Sequence, residues 1–217
     1  MQSEINDPEA FADAFGASVK TTEKLKLYEV ELKRWQKAVN LVAPGTLDQI
    51  WHRHFADSAQ LAEFLPETAK QIVDVGSGGG FPGLVLAILL CKDSDVKVTL
   101  VESDQRKAAF LRETARRIKI PVEIMSTRIE SNASVEQLNS VDTVTARAFA
   151  PLDRLFGLVF PVFSRQTVGI FLKGRDFGRE IELARQSWTF DFELRESKTE
   201  PEGRIIVVRD LARKLEA

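Results

Sequence analysis

One stretch carries the residue types and spacing from which chemistry could be built. Asp74 precedes Gly76, Gly78, Gly79, Gly80 and Gly83, five glycines within eight positions, broken by Ser77, Phe81 and Pro82. Glycine is needed where the backbone takes a positive φ or a ligand presses against the main chain. A ligand lying across such a turn meets free N–H groups at the start of the following helix. A second acid, Glu102, falls at the distance expected for hydrogen bonding the ribose hydroxyls of a bound adenosine. Downstream, Arg147 and Lys173 stand where two strands run out, the position at which a cofactor and a substrate would meet.

The turn fits two patterns. Gly78, Gly80 and Gly83 satisfy G-x-G-x-x-G, the dinucleotide fingerprint. Gly76, Gly78 and Gly80 satisfy G-x-G-x-G with Asp74 at the strand end, which resembles motif I of class I S-adenosylmethionine (SAM) methyltransferases. The acid favours the second reading, because a carboxylate there can orient the loop and meet a cationic cofactor end, whereas it would repel a pyrophosphate. A turn that only lets strand and helix pack closely is the remaining alternative. Both histidines lie together: His54 and Asp57, three apart, share a helical face, where a structural hydrogen bond is commoner than a catalytic dyad. No cluster of His, Cys and acids has metal-ligand spacing, so no metal is expected.

The elements that must hold these residues alternate as an α/β fold. Apolar runs at 72–75, 96–101, 122–125, 141–146 and 167–172 read as strands with helical patterns around them. The runs at 190–195 and 205–208 have no helix between them and imply a closing antiparallel hairpin. The expected fold class is therefore a mostly parallel Rossmann-like sheet with a final antiparallel strand and an N-terminal helical extension. Residues 1–66 form that extension, packed on a catalytic domain at 67–217. In the extension, a short helix over 8–15 stops at Gly16. A long one capped by Ser18 or Thr22 runs to about residue 40 with Leu25, Tyr28, Leu32, Trp35 and Val39 on one stripe. A third, capped by Thr46, spans 47–65. Asp104 caps a further helix to about residue 119.

The chain has 217 residues, 44% hydrophobic and 29% charged, with net charge −2. That is an ordinary soluble composition and excludes a uniformly basic nucleic-acid binder. No run approaches the roughly 20 apolar residues of a membrane span, and the acidic N-terminus is unlike a secretory signal. The single cysteine, Cys91, reads as a small buried side chain and points to a reducing, cytoplasmic setting. If RNA is bound, the charge must be local. The candidates are Lys33, Arg34 and Lys37 on the long helix, Arg106, Lys107, Arg112, Arg116, Arg117 and Lys119 on the helix capped by Asp104, and Lys173 and Arg175 after the fifth parallel run; for both helices a solvated face, on the second one paired with Glu113, is the alternative.

Taken together, the segments 35–41, 54–58, 74–83, 102–103, 128–130, 145–148 and 172–174 resemble the ribosomal RNA small subunit methyltransferase G family, also called glucose-inhibited division protein B. The match covers most of the chain. It implies an enzyme that uses SAM to methylate N7 of one guanine in 16S rRNA near the decoding site. The substrate would be naked RNA, the small ribosomal subunit or its precursor, and the enzyme a cytoplasmic monomer. It implies SAM contacts at Gly76, Phe81, Ile129, Glu130 and Arg147, beside Gly78 and Glu102 from the residues themselves. Departures occur at Val42, where the family commonly has threonine, and at Asp104 and Gln105, where it commonly has basic residues. Guanine N7 bears no proton, so no catalytic base is expected, and Arg147 and Lys173 are candidates to orient the base or a phosphate. A methyltransferase for another substrate, or an assembly factor that keeps a SAM pocket, are the competing readings. Deleting residues 1–40 is expected to harm RNA methylation more than SAM affinity.

Overall fold

The structure, a computed structural model, describes residues 4–91, 95–138 and 140–214. Seven strands form one sheet in the order β3-β2-β1-β4-β5-β7-β6. These are β1 (Gln71–Val75), β2 (Lys97–Val101), β3 (Glu123–Met125), β4 (Thr143–Arg147), β5 (Val168–Lys173), β6 (Trp188–Glu196) and β7 (Arg204–Arg213). The first five pair in parallel, β1 taking β2 on one side and β4 on the other, so the strand order reverses there. A ligand cleft opens at such a switch point, beyond the carboxyl ends of the strands. β7 inserts antiparallel between β5 and β6, as the absence of a helix between the last two apolar runs anticipates.

Helices cover both faces of the sheet. On one side lie α1 (Pro8–Phe15), α2 (Val19–Gln36), α3 (Asp57–Ala59), α4 (Gly83–Leu89) and α5 (Gln105–Ile118). Asp7, Ser18 and Asp104 cap α1, α2 and α5 by accepting from backbone N–H groups in the first turn. On the other side, α7 (Leu152–Val159) and α8 (Phe177–Ser187) pack against β4, β5 and β6, while the short α6 (Asn132–Gln137) follows Ser131, its cap.

The N-terminal helices are part of the main core. Leu25, Tyr28 and Leu32 of α2 are fully buried in one cluster with Phe81, Leu84, Leu100 and Phe110. Glu31, also buried, pairs with Arg34 and reaches across to Arg117 of α5.

Two expectations change, and one helix carries no sequence signal. The span 47–65 is not one regular helix capped by Thr46. It is a 3-10 turn (Pro44–Gln49), a π-helical turn (Trp51–Ala56), α3 and a second 3-10 turn (Gln60–Phe64). Irregular turns of this kind re-aim side chains, and here they turn His54 inward. Cys91 is exposed rather than buried, because α4 ends at Leu89 and the chain leaves the core. The helix Asn132–Gln137 has too few apolar residues to show a period. Among the described residues no helix is long and apolar enough to cross a membrane, and no group of His, Cys, Asp and Glu could hold a metal.

Candidate functional site

The glycine turn sits where the sheet order reverses. Gly76, Gly78 and Gly80 have φ of 67°, 54° and 91°, the left-handed region that a side chain resists. A Cβ on Gly76 would collide with the ring of Phe149, and one on Gly83 would lie 2.5 Å from Asp74 Cβ. The first glycine lets the Phe149 ring pack onto the turn, and the last brings α4 down onto β1.

Two clefts meet over this turn. One, of about 470 Å³, is lined by Phe81, His54, Asp57, Arg147 and the segments 172–174 and 197–203. The other, of about 420 Å³, is lined by Glu102, Ile129, Glu130 and Phe149. Gly76 and Gly78 border both. All seven cofactor residues expected from sequence therefore line one cleft or the other.

Glu102 is nearly buried. Its Oε2 accepts from Gly78 N (2.9 Å) and its Oε1 from Asp104 N (2.7 Å). The carboxylate thus braces the glycine turn and still presents free lone pairs to the cleft. Ile129 is buried and Glu130 exposed at the same cleft.

Asp74 is placed differently from the expectation. It is 0% exposed and lines neither cleft, so no direct contact with a cofactor's amino end is available to it. Its Oδ1 accepts from Thr145 Oγ1 at 2.9 Å, across the β1–β4 register in which these two residues are partners. Its Oδ2 has no partner among the described residues. Burial pushes its carboxyl up to about 6, against the downward pull of nearby hydroxyls.

Arg147, at the end of β4, is the hub of the larger cleft. Nη1 donates to Arg53 O (2.9 Å) and Asp57 Oδ2 (3.2 Å), and Nη2 donates to His54 Nδ1 (2.8 Å). Its guanidinium lies 4.8 Å from the centroid of Phe81, which stacks in turn on His54 and Tyr28. Tyr28 Oη donates to Gly79 O beneath the turn. His54 and Asp57 do share a face, but their common partner is Arg147. Asp57 Oδ1 also accepts from Thr199 Oγ1 at 2.6 Å, joining the site to the β6–β7 loop.

An arginine has no acceptor, so His54 Nδ1 must be unprotonated, and Nε2–H donates to Thr46 Oγ1 at 2.7 Å. Burial, with the charges of Arg147 and Arg53, lowers the imidazole to about 3. Both ring nitrogens are engaged and the ring is neutral.

Lys173 lines the larger cleft, yet its Nζ is committed elsewhere. It bonds Ala150 O (2.5 Å) and Glu180 Oε2 (2.8 Å) with its side chain 8% exposed. It holds the loop after β4. Thr46, Tyr28, Phe149 and Thr199 were not expected from sequence. Tyr28 is legible only as part of an apolar stripe and Thr46 only as a helix cap, and Thr199 carries no local signal.

The antiparallel β7 beside β5 separates this sheet from the all-parallel dinucleotide folds, and the cradle over Gly76 lies between two clefts. This is the architecture of a class I SAM-dependent methyltransferase. Solved structures agree on the fold. A SAM dependent methyltransferase from Aquifex aeolicus superposes with TM-score 0.54 at 14% identity, over 83% of this chain and 97% of that one. Cofactor-bound Rv0187 from MTB gives TM-score 0.58 at 14% identity, over 96% and 99%.

The sequence comparisons go further. The family model described as GidB, rRNA small subunit methyltransferase G, matches residues 21–205. The chain is 47% identical to the Ribosomal RNA small subunit methyltransferase G of Parvibaculum lavamentivorans, over 96% of this chain and 91% of that protein. It is 43% identical to that of Paramagnetospirillum magneticum, over 95% and 97%. The chain belongs to the rRNA small subunit methyltransferase G family.

Proposed function

We propose that this protein transfers a methyl group from SAM to N7 of a guanine in 16S rRNA near the decoding site, acting as a cytoplasmic monomer on naked RNA or on the small subunit or its precursor. The observation that carries the reading is the junction of the two clefts over Gly76 and Gly78, in a chain of this family.

The residues present suit SAM. The cleft with Glu102, Ile129 and Glu130 fits its nucleoside, with Glu102 accepting from ribose hydroxyls. The glycine turn offers close backbone approach, and Phe81 and Arg147 border the space beyond it. When bound, the sulfonium supplies an electrophilic methyl group.

The chain's own part is orientation. Guanine N7 has a lone pair and no proton, so no side chain need act as a base. The neutral, doubly bonded His54 agrees with that, since neither nitrogen is free to take a proton. Arg147, anchored by His54 and Asp57, presents a fixed cationic donor at the cleft, suited to hold O6 or a neighbouring phosphate. Lys173 acts one step back by fixing the loop that carries Ala150. Rate acceleration comes from alignment in a water-poor site.

Incubation of 16S rRNA, naked and in 30S particles, with methyl-tritiated SAM, followed by mass mapping, tests this. Label on one guanine, removed by piperidine-type cleavage chemistry specific to N7, is the expected result. An unlabelled RNA in both forms overturns the proposal.

A further inference from the structure

Most of the cations that the sequence suggested for RNA already have a carboxylate within 4.0 Å, Arg106, Arg116 and Arg117 of α5 among them. Lys33 pairs with Glu29 (2.7 Å), Arg34 with Glu31 (2.5 Å), Lys173 with Glu180 (2.8 Å) and Arg175 with Glu202 (3.6 Å). Three cations, of which only Lys107 belongs to those candidates, stand apart from these pairs. Lys107 of α5, Arg128 in the loop after β3 and Arg154 of α7 all line the 420 Å³ cleft. Among the described residues, none of the three takes part in an ion pair within 4.0 Å. Three separate elements therefore deliver unpaired positive charge to one opening.

The cofactor does not account for this charge. The nucleoside half of SAM carries no phosphate. The two acids of the cleft are otherwise placed, Glu102 being bonded to two backbone N–H groups and Glu130 lying exposed. Lys107 is the cation that lines both clefts, so the charge is continuous with the space proposed for the guanine. A polyanion crossing from one cleft to the other would meet these cations in succession. Exposed arginine and lysine bind phosphate oxygens without reading the base.

We propose that Lys107, Arg128 and Arg154 bind backbone phosphates of the RNA strand that flanks the target guanine, so that the strand passes over the mouth of the nucleoside cleft. The strand then closes the cofactor in as it docks. This rests on the rRNA-methylation reading above.

The test uses the full-length protein with Lys107→Ala, Arg128→Ala and Arg154→Ala, singly and together. A control carries Lys33→Ala and Arg175→Ala, two exposed cations that are already ion-paired. RNA binding is measured by filter retention across a KCl series, and SAM binding by calorimetric titration without RNA. Each single variant is expected to raise the RNA Kd several-fold and to flatten the log–log salt slope by about 0.7, the single-strand value per phosphate contact. The triple variant should lose roughly 2 from that slope, three times the single value. The control's slope should match wild type, and SAM affinity without RNA should fall by far less than RNA affinity does, because the nucleoside presents no phosphate to these cations. A wild-type slope in the triple variant overturns the proposal, and so does a loss of SAM affinity without a change in slope. Filter binding needs no turnover. Wild-type protein with the expected slopes and no methyl transfer would therefore support the phosphate contacts while overturning the function proposed above.

Discussion

Arg147 Nη2 lies 2.8 Å from His54 Nδ1, and this contact decides which tautomer the histidine adopts. The two residues are 93 positions apart, one at the end of β4 and one in the irregular helical segment before β1. Because the guanidinium can only donate, the imidazole accepts and stays neutral. Asp57 takes the other end of the fork, so the N-terminal segment sets the direction in which Arg147 faces the cleft.

Arg147→Lys keeps the charge and loses the planar fork. It should slow single-turnover methyl transfer at saturating SAM by about tenfold or more, because the donor no longer holds one direction. Stability should fall by only about 1–3 kcal/mol, the cost of leaving partly buried partners unpaired. A wild-type rate in this variant removes Arg147 from the orienting role.

Acid titration should separate two buried groups. His54 has a pKa lowered from 6.5 to about 3, so its share of stability is complete above 6.5 and is lost as pH falls toward 3. Asp74 is raised from 3.8 to about 6, so its share is complete below 3.8 and is lost as pH rises through 6. Between pH 6 and 4.5 the two slopes oppose each other, each at most about 1.4 kcal/mol per pH unit. In Asp74→Asn, unfolding free energy measured with urea should therefore drop more steeply on acidification than in wild type. In His54→Asn it should rise. Equal pH slopes in all three proteins would contradict these assignments.

The glycines should fail in different ways. Gly76→Ala adds a Cβ that strikes Phe149 at φ 67°, in the space over the turn. It should weaken SAM binding by about tenfold or more, given the near-contact fit of backbone to ligand. Gly83→Ala has no positive φ but collides with Asp74 and Leu100 in the core. It should cost about 1–3 kcal/mol of stability by overpacking. Gly78→Ala, whose nearest neighbour is 3.7 Å away, should show only backbone strain of about 1–2 kcal/mol. Calorimetric SAM titration and thermal melts distinguish the three.

Tyr28→Phe should cost about 1 kcal/mol, because Gly79 O loses its donor in a buried place, and should loosen SAM binding several-fold. Deletion of residues 1–40 is a harsher change than its sequence suggests. Leu25, Tyr28 and Leu32 are fully buried against α4 and α5 residues. The truncated protein should be insoluble or lack a cooperative melt, and circular dichroism checks this. A soluble, cooperatively folding truncation would show the extension to be dispensable for the core.

Much of the cofactor side was legible in the chain. Residues 72–75 are apolar but for Asp74, five glycines crowd the turn after them, and Glu102 follows at a readable distance. Such signals are local, because a positive φ or a buried strand is specified by the residues that adopt it. The substrate side was not. The regular helix expected over 47–65 hides the π-helical turn that aims His54 at Arg147, since an extra residue in a turn leaves the apolar pattern nearly unchanged.

By itself, then, the amino-acid order determined a parallel α/β sheet with an antiparallel end, a nucleoside cradle at its first turn and the family to which the chain belongs. Tertiary structure decided which charges reach the cleft. Lys33, Arg34, Lys173 and Arg175 look equivalent to Lys107, Arg128 and Arg154 as letters. The first four find carboxylates and the last three find an open cleft. It also decided that Asp74 lies beneath the turn while Arg147 faces the cleft. The physical reason is that burial and the meeting of distant segments depend on neighbours brought together by folding, whereas only the helix-spaced pairs Lys33–Glu29 and Arg34–Glu31 can be read from sequence distance.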